Sequence, residues 1–216
     1  RKEAPNDMAT PIRLTDAQMR QYIADGYIAL DLDLPRSFHD GIYAKTQDVF
    51  EKEGNPGNNV LPRIPALREV YTHPVVDGAL RSVLGDSYYM HPHRHCHHNV
   101  PGSAGQAMHI DSWSRRRHTT RMTMVFYYPQ DTPAERGPTG VVQASHPYND
   151  RPEGDPMWDE TRLTGDAGTV ILVHYDIWHR ATPNETADPR YMMKFLFARL
   201  DEPTAPSWDH AGAEWQ

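Results

Sequence analysis

Met108-His109-Ile110-Asp111 sets an imidazole and a carboxylate two positions apart, and a strand places such residues on the same face. Together they can reach one metal ion. The chain has thirteen histidines and a second pair of this kind, His174-Tyr175-Asp176, so the spacing alone decides little. The residues downstream of each pair separate the two. After Asp111 comes a strand-rich interval, then His179 at the end of an apolar run, then a polar turn, then Arg190. For His174 and Asp176 the nearest third ligand is His179, too close in sequence to leave one face of a metal open. Two neutral imidazoles and one carboxylate on one face of Fe(II) leave three positions and residual positive charge, which suits a chelating 2-oxo acid plus O2. Arg190, eleven residues after His179, can pair its planar fork with the far carboxylate of 2-oxoglutarate if the turn 180–189 returns the chain antiparallel beside the His179 strand. Alternation along the strand brings Lys194 to the same face as Arg190, at a barrel rim or in an ion pair.

Other residues have both a chemical and a structural reading. His91, His93, His95 and His97 alternate and would line one strand face, as a second metal site or, more simply, as hydrogen-bonded wall residues; His95 and His97 are the candidates to touch substrate or 2-oxoglutarate. Arg115, Arg116 and Arg117 could recognise an anionic substrate or form a solvated loop. Trp113 could pack on the cosubstrate or on the core. His146 could face the substrate or only brace its loop, and Asn184 shapes the turn after His179.

The elements that must position these groups fall into two halves. Thr15 or Asp16 caps a helix that stops at Gly26, a strand follows from Tyr27 to Leu32, and Pro35 opens a second helix carrying Phe38, Ile42, Val49 and Phe50 at helical spacing. Residues 54–59 read as a loop, and Ala66 to Val70 and Pro74 to Leu84 as shorter helices. From Tyr88 the pattern becomes short β-rich runs: Tyr88 to Asn99, Thr120 to Tyr128, Gly140 to Gln143, Thr169 to Tyr175 and Tyr191 to Leu200. Helices first and strands after predict a mostly β fold with flanking helices. The expected division is a helical part at about 1–86, a β core at about 87–200 and a surface strap at 201–216, in one domain. The polar connections 130–138 and 148–166 are long enough to act as lids.

Composition narrows the function classes. Hydrophobic residues form 38% and charged residues 24%, an ordinary globular balance. The net charge of -7 opposes a main role in gripping nucleic acid, and no run approaches the roughly eighteen apolar residues that span a bilayer. One cysteine, Cys96, allows no internal disulfide and removes cysteine-based zinc sites. With the polar stretch Arg1 to Thr10 this leads us to expect a cytoplasmic protein acting on a small, possibly anionic, molecule.

Across most of its length the chain resembles the phytanoyl-CoA dioxygenase family. The resemblance is carried by Leu14-Thr15-Asp16 with Asp25-Gly26-Tyr27, by Gln106 to Trp113, by Gly137 to His146, and by Gly165-Asp166 through His179, Asn184 and Arg190. It implies a double-stranded β-helix of the jelly-roll, cupin-like type. It also implies iron ligands His109, Asp111 and His179, Arg190 as anchor of 2-oxoglutarate, and hydroxylation coupled to release of succinate and CO2. Arg180-Ala181 follow His179 where the family usually has Gly then Ser or Thr, which leaves Thr182 as the candidate for a second cosubstrate contact. A metal-dependent lyase or isomerase on the same fold, or a ligand-binding protein without turnover, remain the alternatives.

Overall fold

The computed structural model describes residues 9–112, 120–148 and 159–211. Helix α1 (Asp16–Asp25) begins in a capping box, in which Thr15 and Gln18 each bond the other's backbone, and ends on Gly26 at φ 82°. Strand β1 (Tyr27–Leu30) and helix α2 (Arg36–Glu53) follow. The expected loop at 54–59 contains a 3-10 turn, Gly57–Asn59, which runs into a single-turn helix α3 (Val60–Arg63). Helix α4 (Leu67–Tyr71) and the strongly apolar α5 (Pro74–Leu84), with Pro74 at its first position, complete the helical half.

The strands form two antiparallel sheets. The larger has the order β1-β6-β3-β8-β2 and uses β2 (Tyr88–Asn99), β3 (Met122–Tyr127), β6 (Val170–His174) and β8 (Arg190–Arg199). The smaller, β5-β4-β7, uses β4 (Thr139–Val142), β5 (Glu160–Arg162) and β7 (His179–Ala181). This is the mostly β arrangement with flanking helices that the strand pattern predicts, of the jelly-roll type that the resemblance implies.

Strand β8 shows how the larger sheet is used on both faces. Tyr191, Met193, Phe195 and Phe197 join the cluster shared with the helices, whereas Met192 and Leu196 join a second cluster with Met124, Phe126, Ile171, Val173 and Val141. Because β8 is buried on both sides, it reads as a nearly continuous apolar run rather than an alternation. The two residues that break the run, Arg190 and Lys194, lie on the same face as Met192 and Leu196.

From β5 to β8 the strands alternate between the sheets, and this overturns one expectation. The turn after His179 does not fold β8 back beside β7: β7 pairs with β4 in the small sheet, and β8 pairs with β2 and β3 in the large one. His179 and Arg190 therefore belong to different sheets. The connection 130–138, long enough in sequence to act as a lid, is pinned. Gln130 donates to Tyr191 O at 2.9 Å, Thr132 pairs with Gly165, and Arg136 donates to Pro189 O at 3.0 Å. The tail acts as a strap, with Trp208 Nε1 donating to Asp16 Oδ1 at 2.7 Å and Asp209 N to Leu14 O at 2.8 Å. No helix among the described residues is long and apolar enough to cross a membrane.

Candidate metal centre

His109 and His179 are held opposite each other by a pair of backbone hydrogen bonds, His109 N to His179 O at 2.9 Å and His179 N to His109 O at 2.8 Å. This bridge extends the small sheet by one more segment and sets the two imidazoles side by side, with ring centroids 4.6 Å apart. Each ring is oriented through its Nδ1, which faces the carbonyl of Ala107 at 2.9 Å for His109 and that of Ile177 at 3.0 Å for His179. An Nδ1–H donating to a carbonyl leaves Nε2 as the lone-pair nitrogen, the tautomer a metal ligand needs.

Asp111 faces both. Its oxygens lie 3.9 Å from His109 Nε2 and 3.7 Å from His179 Nε2, and the three residues are the only His/Cys/Asp/Glu group among the described residues whose ligand atoms converge closely enough to hold an ion. Burial pushes the Asp111 carboxyl up, but the charge of Lys194 together with those of His179 and His109 holds it below the usual carboxylate range. Burial pushes His179 down to about 4, with Asp111 pulling against it. A carboxylate beside two imidazoles that turn Nε2 toward it is the donor set that a hard-to-borderline divalent cation requires.

The rival pair is a turn. His174 Nδ1 accepts the backbone N–H of Asp176 at 3.1 Å, and its Nε2 lies 3.3 Å from Thr120 Oγ1, so its ring braces the corner between β6 and β7. His146 packs against that ring, centroids 4.7 Å apart, and crowds Gly26, where an added Cβ would fall 2.6 Å from its Nδ1. His146 is thus placed against the corner and is not among the residues lining the cavity that opens beside Asp111.

Arg190 is 1% exposed and takes part in no ion pair among the described residues. Its Nε donates to Gly137 O at 2.8 Å and its Nη1 reaches His97 O at 3.4 Å. Gly137 makes this seat possible: at φ 67° it has no room for a Cβ, which would lie 2.3 Å from Asn99 Nδ2 and 2.9 Å from Thr182 O. Asn184 ties the same corner by donating to Asn99 O at 3.0 Å, and thus does shape the turn. Thr182 is fully buried, with its hydroxyl donating to Pro138 O at 2.8 Å.

The histidine tandem is broken by a register shift between Met90 and Arg94, where Pro92 supplies no ladder N–H. His93, His95 and His97 then form a column with ring centroids 4.6 and 4.3 Å apart. Their nitrogens do not converge as a second metal site. Burial, reinforced by His95 and Lys194, pushes His97 well below its ordinary value. Its Nε2 is buried without a hydrogen-bond partner, an orphan beside the Arg190 seat. Trp113, Arg115, Arg116 and Arg117 lie outside the described residues.

The sequence places Lys194 on the face of Arg190 and leaves its partner open. In the structure it is 2% exposed and forms a short ion pair with Asp111 Oδ2. A lone lysine inside an apolar strand run is the feature that marks it. Beside Asp111 a cavity of about 670 Å³ opens, lined by Tyr89, His91, His93, Met122 and Tyr175 among others.

A whole-family profile settles the kinship: the phytanoyl-CoA dioxygenase (PhyH) family matches residues 40–192. The chain belongs to the phytanoyl-CoA dioxygenase family. A search of curated proteins found no match. Among solved structures, the family fold is shared with the non-heme alpha-ketoglutarate-dependent carbocyclase SnoK of nogalamycin biosynthesis, at 20% identity and TM-score 0.71, covering 89% of this chain and 88% of that one. The epimerase SnoN in complex with Fe3+, alpha-ketoglutarate and a nogalamycin compound has 17% identity and TM-score 0.68, covering 93% and 96%. The apo protein HygX of Streptomyces hygroscopicus has 13% identity and TM-score 0.65, covering 87% of each chain. At these identities the likeness speaks for the fold. Family membership and the three-ligand group agree with the cofactor set of Fe(II), 2-oxoglutarate and O2 expected from the sequence.

Proposed function

We propose that this protein is an Fe(II)- and 2-oxoglutarate-dependent dioxygenase that hydroxylates a small organic molecule. The observation that carries the reading is Arg190, a buried guanidinium with no counter-ion among the described residues, on the strand face whose next cation, Lys194, touches the candidate ligand Asp111. Burying an unpaired charge costs stability unless something supplies the anion. A dicarboxylate reaching from the metal to Arg190 would supply it, with His97 Nε2 as a further contact. A lyase or isomerase with a lone metal would have no use for that guanidinium.

In this reading His109, Asp111 and His179 would hold the iron, the two imidazoles being oriented by the carbonyls of Ala107 and Ile177. When bound, the metal with 2-oxoglutarate and O2 supplies the oxidising power for oxygen insertion into a C–H bond, the oxo acid leaving as succinate and CO2. Arg190 would pair with the far carboxylate and so orient the oxo acid. Phe126, Ile171, Val173 and Ile177 keep the interior between the sheets dry, and the cavity beside Asp111 holds the substrate. Solved structures of this fold include a carbocyclase and an epimerase as well as a monooxygenase, so the product type is the part of the proposal that the substrate panel must decide.

The test is succinate formation by the purified protein with Fe(II), 2-oxoglutarate, O2 and a panel of small substrates. Succinate that requires all three and is lost in Asp111→Ala supports the proposal. Succinate formed equally by that variant would overturn the site assignment.

A further inference from the structure

Two cations share one face of β8. Arg190 and Lys194 are four residues apart, so at about 3.4 Å per residue their Cα atoms stand roughly 14 Å apart along the strand. Arg190 sits at the end beside Gly137 and His97, Lys194 at the end beside Asp111. Lys194 is flanked across the sheet by His95 on β2 and Phe126 on β3, and it is buried. Its ammonium has three donors, and among the described residues its one ion-pair partner is Asp111 Oδ2.

That same oxygen lies 3.7 Å from His179 Nε2 and belongs to the group that converges to hold an ion. A divalent cation entering there would take Asp111 and would stand a few ångströms from a buried ammonium. Like charges at such a distance repel strongly where water does not screen them. The packed lysine stem, between His95 and Phe126, leaves the ammonium little freedom to swing out to solvent. It needs an anion to turn to. A 2-oxo acid chelating the metal brings a carboxylate to that position, while its other carboxylate meets Arg190.

We propose that Lys194 exchanges partners as the site loads: it holds Asp111 in the metal-free protein and passes to the metal-proximal carboxylate of 2-oxoglutarate when the metal takes Asp111. The inference rests on the proposed function. Its consequence is coupling. Metal alone must break the Lys194–Asp111 pair without compensation, whereas metal with 2-oxoglutarate gives Lys194 a new partner, so each ligand tightens the other by the same factor.

The experiment is titration of the intact protein with Mn(II), with and without 2-oxoglutarate, reading the free-ion Mn(II) EPR signal. In wild type, 2-oxoglutarate tightens Mn(II) binding at least tenfold. In Lys194→Met, which keeps the stem and removes the charge, Mn(II) alone binds at least fivefold tighter than in wild type, and the enhancement by 2-oxoglutarate shrinks at least fivefold. Lys194→Gln gives the same reading should the Met variant lose the wild-type circular dichroism, and Lys194→Arg retains the coupling. Mn(II) affinity and enhancement unchanged in the uncharged variant overturn the exchange and leave the proposed function standing, whereas no enhancement in wild type shows that the oxo acid does not chelate the metal and overturns both. A wild-type protein that binds no Mn(II) under either condition removes the metal centre itself, and this inference with it.

Discussion

Replacing Arg190 by Met separates recognition of the far carboxylate from every other part of cosubstrate binding. The side chain is 1% exposed, and its hydrogen bonds commit Nε and Nη1 to two backbone carbonyls. A guanidinium has five N–H donors, so enough remain for a bidentate pair with a carboxylate. A hydrogen bond to a charged group contributes about 1.5–3 kcal/mol net. At about 1.4 kcal/mol per decade, losing one such bond weakens 2-oxoglutarate binding roughly 10- to 150-fold, and losing two weakens it further. Stability should change little. Removing a buried charge that has no ion-pair partner among the described residues is favourable, and leaving the carbonyls of Gly137 and His97 without their donor opposes it. The assay is anaerobic titration of the metal-loaded protein with 2-oxoglutarate and, in parallel, with pyruvate, a 2-oxo acid that lacks the far carboxylate. Arg190→Met should weaken the first by at least tenfold and the second by less than threefold. Equal losses for both acids, or none for either, would refute the assignment of Arg190.

The same geometry yields two more expected outcomes. Gly137→Ala forces a Cβ to 2.3 Å from Asn99 Nδ2 at a positive φ, so the carbonyl seating Arg190 must move; thermal denaturation should show a loss of about 1–3 kcal/mol, and 2-oxoglutarate affinity should fall several-fold, whereas wild-type values for both would show that the seat is slack. The metal-free protein should lose stability on acidification from pH 6.5 towards 4, because burial holds His39 and His97 below their ordinary value and His95 at about 4; the unfolded chain takes up those protons first, and a urea midpoint that stays flat over this window would contradict the assigned burial.

The residues that announce themselves in the sequence are those whose chemistry depends on local spacing. His109 and Asp111 are two apart on extended chain, and His179 follows an apolar run, so the three-ligand group was legible, as was the buried end of β8 at Arg190. Local signals marked both ends of α1 and the start of α5, since Thr15, Gly26 and Pro74 act within a turn or two of themselves. The illegible features depend on contacts distant in sequence. Strands β5 and β7 have three residues each and no alternation to read; pairing with β4 makes them strands. The separation of His179 and Arg190 into different sheets is a property of the whole winding, which an eleven-residue spacing does not encode. The pair of Lys194 with Asp111 joins residues 83 apart in sequence. His174-Tyr175-Asp176 shows the converse: the spacing of a metal pair serving a turn.

Anaerobic titration of the protein with Fe(II) and then 2-oxoglutarate tests the central claim most directly, because a chelated 2-oxo acid on Fe(II) gives a weak visible charge-transfer band. The band should appear in wild type only when both are present and should vanish in His179→Ala. A wild-type protein that gives no band, or a variant that gives the same one, would contradict the assignment of His109, Asp111 and His179 as the iron centre.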